Sequence, residues 1–167
     1  MQFVRYIKPE LIKLEFSKPP EPPEDIDPGS PRWRWRLKEH VIDEMIELFV
    51  RSGEIRNESK FRRDYVDREK KGSTAIGEGL AIPHVRSMQP RRIVVCVARS
   101  TEGVEYLALD GKPVHVLFGI TGPTYEEQIY LKAYSWIARV AREEWVTSAV
   151  MSARTEDEIV AVLRSFQ

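Results

Sequence analysis

Three histidines, at 40, 84 and 115, and a single cysteine at 96 are the first residues to ask about chemistry, and only His84 has a setting that suggests it. It follows two glycines, an apolar run and a proline in the stretch GEGLAIPHVRS, residues 77–87. Pro83 denies a β ladder its donor, so it marks a strand edge or an opening beside the imidazole. Gly77 and Gly79 supply backbone conformations closed to other residues and let the chain come close to a bound group. An imidazole with an unperturbed pKa of about 6.5 is largely unprotonated at neutral pH and can accept a phosphoryl group on nitrogen. Such transfer depends on position and charge neutralisation. Arg68, whose planar guanidinium suits phosphoryl oxygens, lies one short loop before the glycines, and Ser73 and Thr74 can add hydroxyl donors. The residues alone leave a second reading open: a hydrogen-bonded core histidine, and an Arg68 that bonds the last carbonyls of its own helix.

Other chemistries find less support. A dinucleotide loop needs a third glycine where Ile82 stands, no Gly-Lys-Ser/Thr follows the glycines, and neither HExxH nor GxSxG occurs. Scattered histidines and one apolar cysteine offer no metal-ligand spacing, so no metal and no organic cofactor are expected. His115, inside PVHVLFGIT, reads as a structural imidazole with a role behind His84 as the lesser option, and His40 as a surface residue. Glu78, between the glycines, can orient His84, repel phosphate or simply face solvent. The acids of TYEEQ sit at the positive start of a helix, where they need no further function. Cys96, in IVVCVA, is a small buried hydrophobe that suits a reducing compartment.

Lys plus Arg total 26 and Asp plus Glu total 26, so no global field draws the chain to nucleic acid or to an anionic membrane. No apolar run approaches the roughly 20 residues of a bilayer span. A cytoplasmic protein without membrane insertion is expected, and 167 residues make one domain the default. Ile12, Leu14 and Phe16 alternate with polar residues as in a strand, after a turn at Pro9. The proline-rich stretch from Ser17 is an irregular loop, taken to residue 36 so that it includes RWRWR. In that segment Trp33 and Trp35 are expected to cover core edges while Arg32, Arg34 and Arg36 stay solvated; an interface or a base-stacking surface is the alternative.

From Leu37 the apolar residues Val41, Met45, Leu48 and Phe49 mark an amphipathic helix closed by Gly53. Asn57 caps a second helix that carries Phe61, Tyr65 and Arg68 on one face and ends at Gly72. Strands at LAIPHVR, RIVVCVAR and PVHVLFGIT come next, then helices over 125–143 and 143–152, and a last one opened by the capping box TEDE. Apolar runs on both parities call for a sheet covered on both faces, hence an α/β fold with the sheet layered between helices.

The segments REKKGSTAIGEGLAIPHVRS and ALDGKPVHVLFGITGP resemble the fructose/mannitol-type IIA domain of the bacterial sugar phosphotransferase system, including its nitrogen-regulatory relatives. The resemblance runs over nearly the whole chain, as one IIA domain over residues 1–167, and implies a mixed β-sheet sandwiched between helices. It implies that His84 takes phosphate from the phosphocarrier HPr, with Arg68, followed by Glu69, facing the phosphohistidine. It further implies an onward partner, either a separate IIB protein or a regulatory target. Two positions depart from the family pattern. Tyr130, before Leu131, stands where a second active-site histidine is usual, and its phenol can donate a hydrogen bond but cannot carry positive charge. The loop at 17–36 is longer than the family's.

Overall fold

The computed structural model describes residues 3–166. Two short 3-10 turns, Phe3–Tyr6 and Pro9–Leu11, lead into β1 (Ile12–Lys13), so the expected turn at Pro9 is present and the strand after it is only two residues long. Next along the chain are α1 (Pro31–Val50), α2 (Glu58–Lys70), β2 (Ala75–Gly77), β3 (Leu80–Ala81), β4 (His84–Ser87), β5 (Val94–Val104) and β6 (Val114–Pro123), then α3 (Glu127–Arg142), α4 (Glu144–Ser152) and α5 (Glu156–Ser165).

The sheet is mixed, in the order β1, β5, β6, β3, β2, with β4 also paired to β6. The β5–β6 pair is antiparallel, while β1 runs parallel to β5, and β3 and β4 parallel to β6. The two parities of β5 separate cleanly. Val95 and Val97 join Val116, Phe118 and Ile120 beneath α3, α4 and α5. Val94, Cys96 and Ala98 turn the other way, toward Met45, Phe49, Phe61 and Tyr65 on α1 and α2. Both faces are covered, which is the α/β sandwich expected from the uninterrupted apolar runs. No helix among the described residues is long and apolar enough to cross a membrane.

Helix starts obey their caps. Ser30, Asn57 and Thr155 each accept a hydrogen bond from the backbone N–H three residues on. The first cap corrects the loop boundary: helix α1 begins at Pro31, so RWRWR forms its first turns and the irregular loop ends at residue 30. Proline is favoured at the first helical position because the donor it lacks would be unpaired there anyway. The alternation of Trp and Arg has the look of an extended segment, yet on a helix it splits the tryptophans between two faces. Trp33 is buried, Trp35 is half-buried with the Lys38 ammonium 5.8 Å from its ring centroid, and Arg34 pairs with Glu105 at 2.5 Å.

The glycines upstream of His84 also act differently from expectation. Gly77, Glu78 and Gly79 all have positive φ, at 89°, 56° and 78°, and turn the chain from β2 into β3. They build a tight hairpin, the conformation that glycine adopts without a Cβ penalty. Glu78 is exposed, and its N–H donates to Asp110 Oδ2 at 3.0 Å, so it belongs to this turn.

An ion pair sealed between α1 and α2 was not anticipated. Lys38 is 1% exposed, and its Nζ lies 3.1 Å from Glu69 Oε2. Glu69 also accepts from the Thr74 N–H and hydroxyl, both at 3.2 Å. The ammonium stands 4.5 Å from the Tyr106 ring centroid, and the Tyr106 hydroxyl is 2.8 Å from that of Tyr65. Burial lowers the Lys38 pKa against the opposing pull of Glu69. Breaking such a pair leaves an uncompensated buried charge. Lys38→Met is therefore expected to lower unfolding free energy by about 3–5 kcal/mol, read from urea denaturation; a loss under about 1 kcal/mol would show the pair behaving as a surface one.

Candidate functional site

Strands β3 and β4 are one line interrupted by Ile82 and Pro83. Ala81 pairs with Leu117 and His84 with Ile120, so three residues separate the pairs on both strands and the register against β6 carries through the gap. Pro83 has no N–H to give, but its carbonyl still accepts from Ile120 at 2.9 Å. The Ile82 carbonyl, on the β2 side of the strand where the Thr74 N–H is taken by Glu69, lies 2.7 Å from His84 Nδ1. A carbonyl can only accept, so Nδ1 carries the proton and Nε2 keeps its lone pair.

That lone pair faces Arg68. The guanidinium Nη2 is 3.3 Å from Nε2, and Nη1 donates to the Gly72 carbonyl at 3.0 Å. Arg68 reaches the imidazole, and the carbonyl it bonds is that of Gly72, just beyond α2, rather than one of the last carbonyls of the helix. One turn earlier on the same helix face, Asp64 Oδ2 accepts from the Ser87 hydroxyl at 2.6 Å. Asp64 and Arg68 thus fasten α2 to the two ends of β4.

His84 is half-buried, with the Tyr134 ring edge-on at 4.8 Å between centroids. Burial lowers its pKa; the hydrogen bond to Ile82 works the other way, and the nearby Arg68 charge adds to the lowering. The imidazole is held neutral at physiological pH, with a defined tautomer and its basic nitrogen next to a fixed cation. It opens into a shallow cleft of 570 Å³ lined by Asp64, Asp67, Arg68, His84, Arg86 and Tyr130, among others. Neutral Nε2 can attack an electrophilic phosphorus, and Arg68 is placed to offset the charge that arrives with it.

Tyr130 enters this cleft from the first turn of α3 and is 3% exposed. Arg86, two residues after His84 on the same strand face, lies with its guanidinium carbon 5.8 Å from the Tyr130 ring centroid. Arg86 is itself held by Glu127 Oε1 at 3.1 Å and the Thr124 carbonyl at 3.0 Å. Glu127, one of the acids to which the sequence assigned no task, therefore fixes a cation at the rim.

Thr74 is not brought to the cleft. Its hydroxyl is turned inward because the buried Glu69 carboxylate needs donors, and Ser73 bonds the Tyr106 carbonyl at 2.8 Å. His115 sits five residues before the His84 partner on β6, with Nδ1 2.9 Å from the Ser100 carbonyl, and has no part in the cleft. His40 lies 2.9 Å from Glu44 and bonds Ser17, at the start of the proline-rich loop. Cys96 is buried, and its thiol is pushed up by burial, away from reactivity. Among the described residues no three His, Cys, Asp or Glu gather as a metal site. The contributions of Arg86 and of the Lys38–Glu69 pair escaped sequence reasoning. Arg86 had a signal, two residues from His84 in a strand; Lys38, on the wheel of an amphipathic helix, had none.

Comparison with known proteins bears on the family and the fold. The family described as "Phosphoenolpyruvate-dependent sugar phosphotransferase system, EIIA 2" matches residues 34–166. The chain is 29% identical over 154 residues to the PTS system fructose-specific EIIA component of Haloferax volcanii, covering 92% of this chain and 89% of that one. It is 31% identical over 119 residues to a nitrogen regulatory protein of Bradyrhizobium diazoefficiens, covering 70% and 78%. A 32% match over 126 residues to the fructose-specific EIIABC component of Bacillus subtilis covers 75% of this chain but only 20% of that much longer protein. Among solved structures, nitrogen regulatory protein IIA-Ntr from Neisseria meningitidis has a TM-score of 0.77 at 23% identity, covering 96% of this chain and 97% of that one. Enzyme IIA mannitol of Escherichia coli, solved in complex with phosphorylated IIB mannitol, has a TM-score of 0.69 at 19% identity, covering 92% and 94%. At these identities the two structures speak to the fold alone. A family match across four fifths of the sequence, joined to the sheet and helix layers of the IIA fold, means that the chain belongs to the EIIA 2 family of the phosphoenolpyruvate-dependent sugar phosphotransferase system.

Proposed function

We propose that this chain is a phosphoryl carrier in which His84 Nε2 accepts phosphate from phospho-HPr and passes it to a separate IIB protein in the cytoplasm. The observation that carries the reading is the pairing of a tautomer fixed through Nδ1 with a guanidinium at 3.3 Å from the opposite nitrogen. In the forward step the lone pair on Nε2 forms a bond to phosphorus as the bond from phosphorus to the donor breaks. The imidazole then carries the positive charge, which the phosphoryl oxygens and the Ile82 carbonyl stabilise, and Arg68 neutralises the oxygens. The reverse displacement hands the group on. No cofactor takes part, because the donor brings the phosphoryl group already activated. The E. coli IIA mannitol complex with phosphorylated IIB lends support to the choice of acceptor.

The likeness to a nitrogen regulatory protein favours a second reading, in which the phosphorylation state of the same histidine reports to a target protein and no sugar is moved. Both readings put phosphate on His84 and differ only in the later fate of that phosphate.

Incubation with phosphoenolpyruvate, enzyme I and HPr is expected to label the wild-type chain and not His84→Ala; label that survives the substitution removes the site. Arg68→Ala is expected to fold and to accept phosphate on the order of 100-fold more slowly, and unchanged kinetics would remove its role. The pH dependence is set by the lowered His84 pKa. Only neutral imidazole attacks, so the acceptance rate stays level as pH falls through about 6.5 and declines below that. Losing the Arg68 charge lets the pKa rise, so the acid limb of Arg68→Ala moves up toward 6.5; limbs that coincide with the same donor would refute the electrostatic coupling. For folding the sign is the same: the unfolded chain binds more protons between the lowered pKa and about 6.5, so the contribution of His84 to stability is lost as pH falls through that window.

A further inference from the structure

A second cavity lies away from His84, between the N-terminal turns, the start of β5 and the first turn of α3, and shares no lining residue with the cleft. Its volume of 480 Å³ is that of a small-molecule site. Leu11, Ile93 and Val94, all buried, give it an apolar floor. Five charged side chains line the same space: Arg5, Lys8 and Arg92, which are exposed, and Glu54 and Glu126, which are half-buried. Among the described residues none of the five forms an ion pair, although both signs share one cavity. The two acids are held in place by their main chains. The Glu54 N–H donates to Ser52 Oγ at 3.1 Å and its carbonyl accepts from Arg91 at 2.8 Å. The Glu126 N–H donates to the Pro123 carbonyl at 3.1 Å, and its carbonyl accepts from Tyr130 at 3.0 Å. These bonds use backbone groups alone, so each carboxylate loses part of its hydration without gaining a cation. Arg5 is steadied by an uncharged neighbour, its Nη2 donating to the Tyr6 hydroxyl at 3.1 Å and its guanidinium carbon standing 5.1 Å from that ring centroid. Its charge is oriented without being cancelled.

We propose that this cavity binds a free amino acid with an apolar side chain, its ammonium on Glu54 and Glu126, its carboxylate on Arg5, Lys8 and Arg92, and its side chain on the floor. A ligand of one sign does not fit the lining. An anion alone meets two carboxylates that it leaves unpaired, and an amine alone meets three cations. A molecule that carries both charges on neighbouring atoms bridges groups that share a cavity yet do not reach one another, and each contact is a charge-assisted hydrogen bond. The backbone bonds at Glu54 and Glu126 lower the cost of ordering the acids when the ligand arrives. The site goes beyond the carrier reading and needs no phosphate on His84.

Isothermal titration calorimetry on the full chain tests this with three probes that share one apolar body. They are phenylalanine, 3-phenylpropionate, which lacks the ammonium, and 2-phenylethylamine, which lacks the carboxylate. Phenylalanine is expected to bind roughly tenfold more tightly than either, the factor that the loss of one charged hydrogen bond makes. Glu54→Gln combined with Glu126→Gln is expected to bring phenylalanine down to the affinity of 3-phenylpropionate, and continued binding of 3-phenylpropionate shows that the variant is folded. The wild-type series decides by itself if the variant does not fold. A tie between phenylalanine and either single-charge probe overturns the proposal, as does the absence of heat from phenylalanine. An advantage of phenylalanine that survives the double substitution in folded protein puts its binding elsewhere and overturns the site.

Discussion

The hydrogen bond from His84 Nδ1 to the Ile82 carbonyl is the constraint on which the chemistry depends, and a diverted N–H makes it available. Thr74 accepts from the Ile82 N–H, and in an unbroken antiparallel pair its own N–H would return the bond to the Ile82 carbonyl. That N–H goes instead to Glu69, while the Pro83 carbonyl takes a bond from Ile120, so the register against β6 survives and only one acceptor is set free. The imidazole claims it. A ring fixed by one nitrogen has its other nitrogen aimed, and the strand edge on which it sits gives that nitrogen access. Strand interruption, tautomer and exposure are therefore one event in the chain rather than three.

Charge is delivered to this point by α2, a helix that contributes few large apolar residues. Phe61 and Tyr65 hold it to the core, while Asp64 and Arg68 tie it to β4. Glu69, the residue after Arg68, is locked by Lys38 and Thr74 behind it. Adjacent residues thus face opposite ways, one to the interior and one to the cleft, so that the interior ion pair fixes the rotation of the helix about its axis. A guanidinium on a long flexible stem gains precision from that rotation being set.

Much of this was legible in the sequence, because the signals were local. Asn57, Thr155 and Gly53 mark helix ends through hydrogen bonds within four residues of themselves, and the two-sided apolar run of β5 shows that both faces are covered. His84 and Arg68 could be singled out because a proline and a helix face are also local patterns. Contacts that bridge distant segments were invisible. Lys38 and Glu69 are separated by two helix ends, and nothing in either helix alone shows that a lysine should be buried. Arg99 appears as one more cation after a strand, although it is buried and bonds the carbonyls of Leu14, Val150 and Ala153, closing the C-terminus of α4. The helical state of RWRWR was missed because the proline-rich loop was carried on to residue 36, past the helix start that Ser30 and Pro31 mark, and the glycines beside His84 were credited to a ligand when a hairpin turn required them.

The proline-rich loop has a simple mechanical consequence. It is pinned at its start, where the Ser17 backbone and hydroxyl both bond Glu44, and at its end, where Ser30 caps α1. Between these pins it forms no strand or helix, and it does not line the cleft. Closing a flexible loop between fixed posts becomes only slightly harder as the loop grows, by roughly 0.6 kcal/mol per doubling. Related chains can therefore lengthen, shorten or rewrite residues 18–29 and graft new recognition there, while the reacting nitrogen keeps its address.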